Sequence, residues 1–226
     1  MNQVVKVDIV VESPITLSSG KADVTVDCDV IHDRYGLPYF PAKRLKGLLS
    51  ESALEIAEMS ELSQAGFLSK ETVAELFQHG TDSPVQFIIH DFHLVGYNDM
   101  VKDLQYLQSA YPECILPDDV LREYTSLRYQ TAIDDTGVAA DTSLHNMRVV
   151  KAGITFTGNI ELQGVEERHF KAFVLALQNL RCAGLKRNRG FGKIKCSIQE
   201  IQQGSKIIAN PNMKKLVQTA LARGAK

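Results

Sequence analysis

No apolar run in the 226 residues reaches the length of a membrane span, and Lys6, Asp8 and Glu12 interrupt the N-terminal stretch. A spanning helix needs about 20 predominantly apolar residues. No membrane association and no signal peptide of ordinary form are therefore expected. Cysteine is scarce: Cys28, Cys114, Cys182 and Cys196 stand far apart, with no C-x-x-C pair. That argues against a zinc site or a disulfide framework and for reduced thiols in a cytoplasmic protein. A Walker lysine–serine pair is also missing. The densest glycines follow a helical pattern and precede a strand, the reverse of the dinucleotide-binding order.

Charge of either sign is nearly balanced overall, at −2, but not along the chain. Residues 53–123 hold 13 acidic and 3 basic side chains, whereas residues 124–226 hold 16 basic and 7 acidic. A basic half beside an acidic half is an electrostatic footprint for a polyanion. The hydrophobic content of 44% suits a globular core, and the length allows one large domain or two small ones.

Val5, Val7, Ile9 and Val11 alternate with Val4, Lys6, Asp8 and Val10, which predicts a strand. A polar loop carries Asp23, Asp27, Asp29 and Asp33. Pro41 suits a helix start, and Leu45, Leu48, Leu49, Ser52, Ala53 and Ile56 give a helical stripe. A second helical stretch runs near Lys70–Gln78, and Val85–Val95 reads as one strand. Residues 96–124 read as irregular, and 125–150 as a long polar excursion. Ile154, Phe156, Gly158, Ile160 and Leu162 predict a strand; a helix through Phe170, Phe173, Val174, Leu177 and Leu180 and a last strand follow. The tail after Pro211 reads as a short helix. Without insertions the order is strand–helix–strand–strand–helix–strand. The expected fold class is α+β, a ferredoxin-like (RRM-type) core with long insertions, including a thumb-like β-hairpin.

The most informative segment is Gly184-Leu185-Lys186-Arg187-Asn188-Arg189-Gly190-Phe191-Gly192-Lys193. Gly184 suits the left-handed turn that ends the preceding helix. Gly190 and Gly192 allow a ligand backbone to approach closely, because no Cβ intervenes. Successive backbone N–H groups in such a turn form an anion-binding concavity, and Lys186, Arg187 and Arg189 add charge. The natural guest is a phosphodiester backbone; an ordinary solvated turn is the plainer alternative. Lys43, Arg44 and Lys46 begin a helix, where free N–H groups and the dipole favour phosphate. His90 and His93 are expected on opposite faces of a strand and so not as a metal pair. His32, beside the aspartates, is a candidate general base, while His79, His145 and His169 carry no partner pattern. Leu144 and Met147 are either wedges between nucleotides or a small apolar contact.

Four segments, in order over roughly residues 3–203, together resemble the RAMP superfamily of CRISPR-associated proteins. They are Asp27-Cys28-Asp29-Val30-Ile31-His32-Asp33 with Gly36-Leu37-Pro38-Tyr39-Phe40-Pro41 and Leu45-Lys46-Gly47; Ile88 to Leu94; Ala132-Ile133-Asp134 through Arg148; and the glycine loop. The likeness is greatest to the Cas-seven-like backbone subunits of type III effector complexes. Two positions depart from that family's pattern: Ala42-Lys43-Arg44 where it often has Gly-Ser-Ser, and Asp29 where proline is frequent.

The resemblance implies a single RAMP domain over 1–226, with insertions at about 13–41, 96–124 and 125–152. It implies an endoribonuclease acting on target RNA within the complex. Asp27 aligns with the catalytic aspartate, and a divalent metal, Mg2+, is the implied cofactor. The implied RNA-binding residues are Lys43, Arg44, Lys46, Gly184, Lys186, Arg187, Arg189, Gly190 and Gly192. The implied partners are crRNA, complementary target RNA and other CRISPR effector subunits. Two alternatives stay open: a non-catalytic scaffold or Cas-five-like guide-end cap, and a Cas-six-like guide-processing endoribonuclease.

Overall fold

Val5, Val7, Ile9 and Val11 are all at most 1% exposed, while the residues between them reach solvent to varying degrees. The opening alternation thus becomes strand β1 (Gln3–Val11), with one face in the core. Burying each such side chain contributes about 1.5–3 kcal/mol. The computed structural model describes residues 2–20, 26–78, 84–133, 135, 137–138, 140 and 143–222; Asp23, His79 and Asp134 lie outside these.

Helices α1 (Ala42–Leu62) and α2 (Lys70–Phe77) follow, then strands β2 (Gln86–Ile89) and β3 (His93–Leu94). Next come α3 (Tyr97–Ala110), α4 (Pro117–Tyr124), and the strands β4 (Thr125–Gln130) and β5 (His145–Val150). The chain continues with β6 (Thr155–Gln163), α5 (Glu167–Asn179), β7 (Ile194–Gln203), β8 (Lys206–Ala209) and α6 (Met213–Leu221). The main sheet runs β2-β6-β1-β7-β8, with β3 also on β6, and its pairings are antiparallel. β1 leads through α1 to β2 and β6 leads through α5 to β7, so each helix-linked pair encloses a strand of the other pair. β4 and β5 form a separate antiparallel hairpin.

Of the expected stripe of α1, Leu45, Leu49, Ser52, Ala53 and Ile56 are buried and Leu48 is partly buried. This face meets α5, where Ala172, Phe173, Ala176 and Leu177 are buried, and Ser52 Oγ donates to the Ala176 carbonyl at 2.8 Å. His169, 1% exposed, accepts from Glu166 N–H at Nδ1 and faces Glu75 Oε2 at 2.9 Å through Nε2. It is a satisfied core histidine with a partner that sequence spacing did not reveal. No helix among the described residues is long and apolar enough to cross a membrane.

Two expectations are corrected. The single strand Val85–Val95 is two, because Phe92 turns fully into the core and exchanges two backbone hydrogen bonds with Phe40, at 2.8 and 2.9 Å. Residues 96–124 are not irregular but hold α3 and α4. α3 has no fully buried residue; Met100, Val101 and Leu104 only lean on the core. The polar excursion of 125–150 carries the β4–β5 hairpin.

Candidate nucleic-acid interface

One short segment, Pro14 to Ser19, touches the aspartate loop, the glycine loop, the hairpin and the start of α1. Ile15 exchanges backbone hydrogen bonds with Val150 at the base of the hairpin, at 2.8 and 3.1 Å. The Leu17 carbonyl accepts from Ile31 N–H, and Ser19 N–H donates to the Asp29 carbonyl, both at 2.8 Å. The Pro14 carbonyl accepts from Gly192 N–H at 2.9 Å and that of Thr16 from Leu185 N–H at 3.2 Å. Arg44 donates to the Ser18 carbonyl. The aspartate loop, glycine loop, hairpin and start of α1 are thereby tied to one strip of backbone.

Asp27 lies along the outer edge of β5. Its N–H donates to Asn146 Oδ1 and its Oδ2 accepts from Asn146 N–H, each at 2.8 Å. His145 Nδ1 stands 3.7 Å from the same Oδ2. Both side chains are more than half exposed, and Asp27 Oδ1 has no hydrogen-bond partner among the described residues. The neighbouring acids are occupied differently. Asp29 Oδ1 accepts from Arg148 Nε and from Val30 N–H, both at 2.8 Å. Asp33 Oδ1 accepts from Tyr35 and Leu37 N–H at 2.9 Å, and its Oδ2 accepts from Tyr97 O–H at 2.9 Å. Asp33 therefore holds a turn. The His32 ring donates from Nδ1 to the Asp33 carbonyl at 2.8 Å, turned into that turn.

The glycine loop passes through a left-handed Lys186 (φ 57°) and a single 3₁₀ turn, Arg187–Arg189, into left-handed Gly190 and Gly192. Its glycines have different reasons. A Cβ on Gly192 would stand 1.8 Å from the Ala183 carbonyl oxygen, and one on Gly184 would stand 2.6 Å from that of Thr16. Both meet the protein's own backbone. Around Gly190, by contrast, a Cβ would meet nothing within 4 Å. Gly184 is left-handed but does not end the helix, since α5 stops at Asn179 with Leu180 as its cap. Lys186 donates to Gln130 Oε1 at the end of β4, and Arg187 stands 3.6 Å from Glu51 of α1. Arg189 is exposed and makes no ion pair among the described residues.

The start of α1 is less open than its sequence suggested. The Asp91 carboxylate accepts from Ala42 N–H at 2.7 Å, so a side-chain anion already occupies the first free donor. Lys46 is half-buried, donates to the Phe87 carbonyl at 3.3 Å, and has its pKa lowered by burial. With Arg44 held by Ser18, Lys43 is the exposed cation of the three without a side-chain contact among the described residues. His90 and His93, expected on opposite faces, line one cleft of about 410 Å3 because the strand breaks between them. His90 pairs with Glu161 at 3.0 Å, and His93 stacks on Tyr97 with ring centroids 4.1 Å apart. Among the described residues no group of three or more His, Cys, Asp or Glu is arranged to hold a metal ion.

On the hairpin, Met147 is 3% exposed and pairs with Cys28 of the aspartate loop, whereas Leu144 is 66% exposed. Tyr129, 63% exposed, stands directly across the strands from Asn146. Neither His145 nor Asn146 was legible as a site residue, since 119 residues separate Asp27 from Asn146.

Among curated protein sequences, none matches the chain significantly. Solved structures with the same fold include a chain of the type III-B Cmr-β complex bound to cognate target RNA. It shares 13% identity at a TM-score of 0.60, covering 86% of this chain and 96% of that one. A chain of the apo Cmr-β complex aligns over the same shares, with 11% identity and a TM-score of 0.58. Residues 8–195, which run from β1 through the aspartate loop, the hairpin and the glycine loop, match the family model of the RAMP superfamily, and the chain belongs to that superfamily.

Proposed function

We propose that the protein is a crRNA-binding backbone subunit of a cytoplasmic type III CRISPR effector, and that it binds and cleaves complementary target RNA. Its partners are then crRNA, target RNA and other effector subunits. Family membership and the fold shared with Cmr-β chains support this reading. The interleaved strand order supports a ferredoxin-like core, with the β4–β5 hairpin as its thumb. Arg189, Gly190 and Lys43 are the freest of the candidate guide contacts; Lys186, Arg187, Arg44 and Lys46 reach RNA by exchanging their present partners. Sequence choice comes from base pairing, and the protein reads backbone and shape.

The observation that carries cleavage is Asp27: an exposed carboxylate fixed through one oxygen, with the other oxygen unbonded among the described residues. Such a group can accept a hydrogen bond from a target 2′-OH and turn it toward the adjacent phosphate. A lone carboxylate oxygen also fits Mg2+, which is commonly held by one or two carboxylates together with substrate phosphates and waters. Asp27 would hold the ion, and the ion would supply charge stabilisation at the phosphate. The second reading is a non-catalytic scaffold that binds guide and target without cutting.

Asp27→Asn in the assembled effector tests the choice. Target affinity should stay nearly unchanged, because pairing supplies most of it, while cleavage at the sites this chain faces should be lost. A target with a single 2′-deoxy substitution at the cut site should resist in the same way. Normal cutting by Asp27→Asn would select the scaffold.

A further inference from the structure

Asp27 is held at two points by one residue of the hairpin. Its N–H is fixed by Asn146 Oδ1, and its carboxylate by Asn146 N–H. The bond to Oδ2 selects which oxygen is occupied, and the bond to N–H fixes the backbone that carries it. The next residues continue the attachment. Arg148 N–H donates to the Cys28 carbonyl at 2.9 Å, and the Arg148 guanidinium binds Asp29. The aspartate loop is therefore laid along β5 as an extra edge, although it is remote in sequence.

We infer that Asn146 is a positioning residue for Asp27, through which the hairpin sets the orientation of the working carboxylate. The inference rests on the reading of Asp27 given above. It adds a source of regulation at that site. The hairpin is the thumb in that reading, so a displacement of β5 by bound RNA is transmitted to Asp27 through two hydrogen bonds. The far side of the pair is open to RNA as well, since Tyr129 stands exposed opposite Asn146.

The test uses Asn146→Ala, which removes the side-chain acceptor and leaves the backbone bond, and Asn146→Asp, which restores an acceptor. Hydrogen exchange of the full-length chain reads the Asp27 amide directly. Asn146→Ala should speed its exchange at least tenfold, and Asn146→Asp should recover the protection. In the assembled effector, single-turnover cleavage of a complementary RNA at this chain's site should slow by about 10- to 100-fold in Asn146→Ala, the scale of a small misplacement of a reacting group. Target affinity should stay within twofold, and Asn146→Asp should recover most of the rate. Cleavage at the wild-type rate by Asn146→Ala, while Asp27→Asn is inactive, overturns the positioning role and leaves Asp27 standing. Slowed cleavage with unchanged exchange at Asp27 also overturns it. Wild-type cleavage by Asp27→Asn removes the underlying reading instead.

Discussion

Arg148 and Asp29 meet at 2.8 Å with only 13% and 21% of their side chains exposed, which ties the hairpin to the aspartate loop across 119 residues of sequence. Arg148 also reaches Thr125 Oγ1 at 3.5 Å, so the guanidinium bridges both hairpin strands to the loop.

Removing either partner leaves the other charge poorly solvated. Arg148→Ala or Asp29→Ala should cost about 1.5–3 kcal/mol in urea unfolding. The double variant should cost less than the sum of the two. Strict additivity would show that the pair contributes no coupling.

Gly192 and Gly190 share a left-handed backbone, at φ 74° and 80°, but differ in their surroundings. Gly190→Ala should cost only about 1–2 kcal/mol of backbone strain. Gly192→Ala adds a collision with the Ala183 carbonyl and should cost roughly 3 kcal/mol or more. Thermal unfolding ranks them. Because Gly190→Ala stays folded, it also tests the loop: weakened RNA binding is expected, and unchanged affinity would mean RNA does not pass over that backbone.

The basic side chains of the loop should not be equal. Arg189 has no ion pair to give up among the described residues, whereas Lys186 and Arg187 engage Gln130 and Glu51. Arg189→Ala should lower the slope of log affinity against log salt by roughly 0.7 for single-stranded RNA, without changing base preference. A shifted base preference at constant slope would count against a phosphate contact.

At alkaline pH, Tyr97 provides a pH-sensitive contribution. Burial, followed by its hydrogen bond to Asp33, pushes its pKa up to about 12 from 10.0. The folded protein therefore keeps the phenolic proton that the unfolded chain loses first. Stability from this contact is fully present below about pH 10 and falls away as pH rises through 12. Tyr97→Phe should flatten that part of the stability profile, and an unchanged profile would refute the linkage.

What was legible in the sequence follows from burial. β1 and α1 each bury one face, so period-two and helical patterns stand out in Val5–Val11 and Leu45–Ile56. α3 was missed because it buries no residue completely. The split of β2 from β3 was missed because its cause is Phe40, a contact between distant segments. Gly184 was legible as left-handed and Gly190 and Gly192 only as places where a backbone comes close, while the left-handed φ of the last two and the reasons for Gly184 and Gly192 were not. Gly192 answers to Ala183 and Gly184 to Thr16, neither visible as a local motif. Asp27 was legible through family resemblance, whereas its holder Asn146 depended on how the hairpin lies against the loop.

The strip from Pro14 to Ser19 grips its neighbours mainly through main-chain groups: the carbonyls of Pro14, Thr16, Leu17 and Ser18 and the N–H of Ser19. Groups that every residue carries are indifferent to most substitutions. Mutation can therefore rewrite the lettering of this crossroads while leaving its architecture standing. A chain built this way can change much of its sequence and still hold the same four elements together.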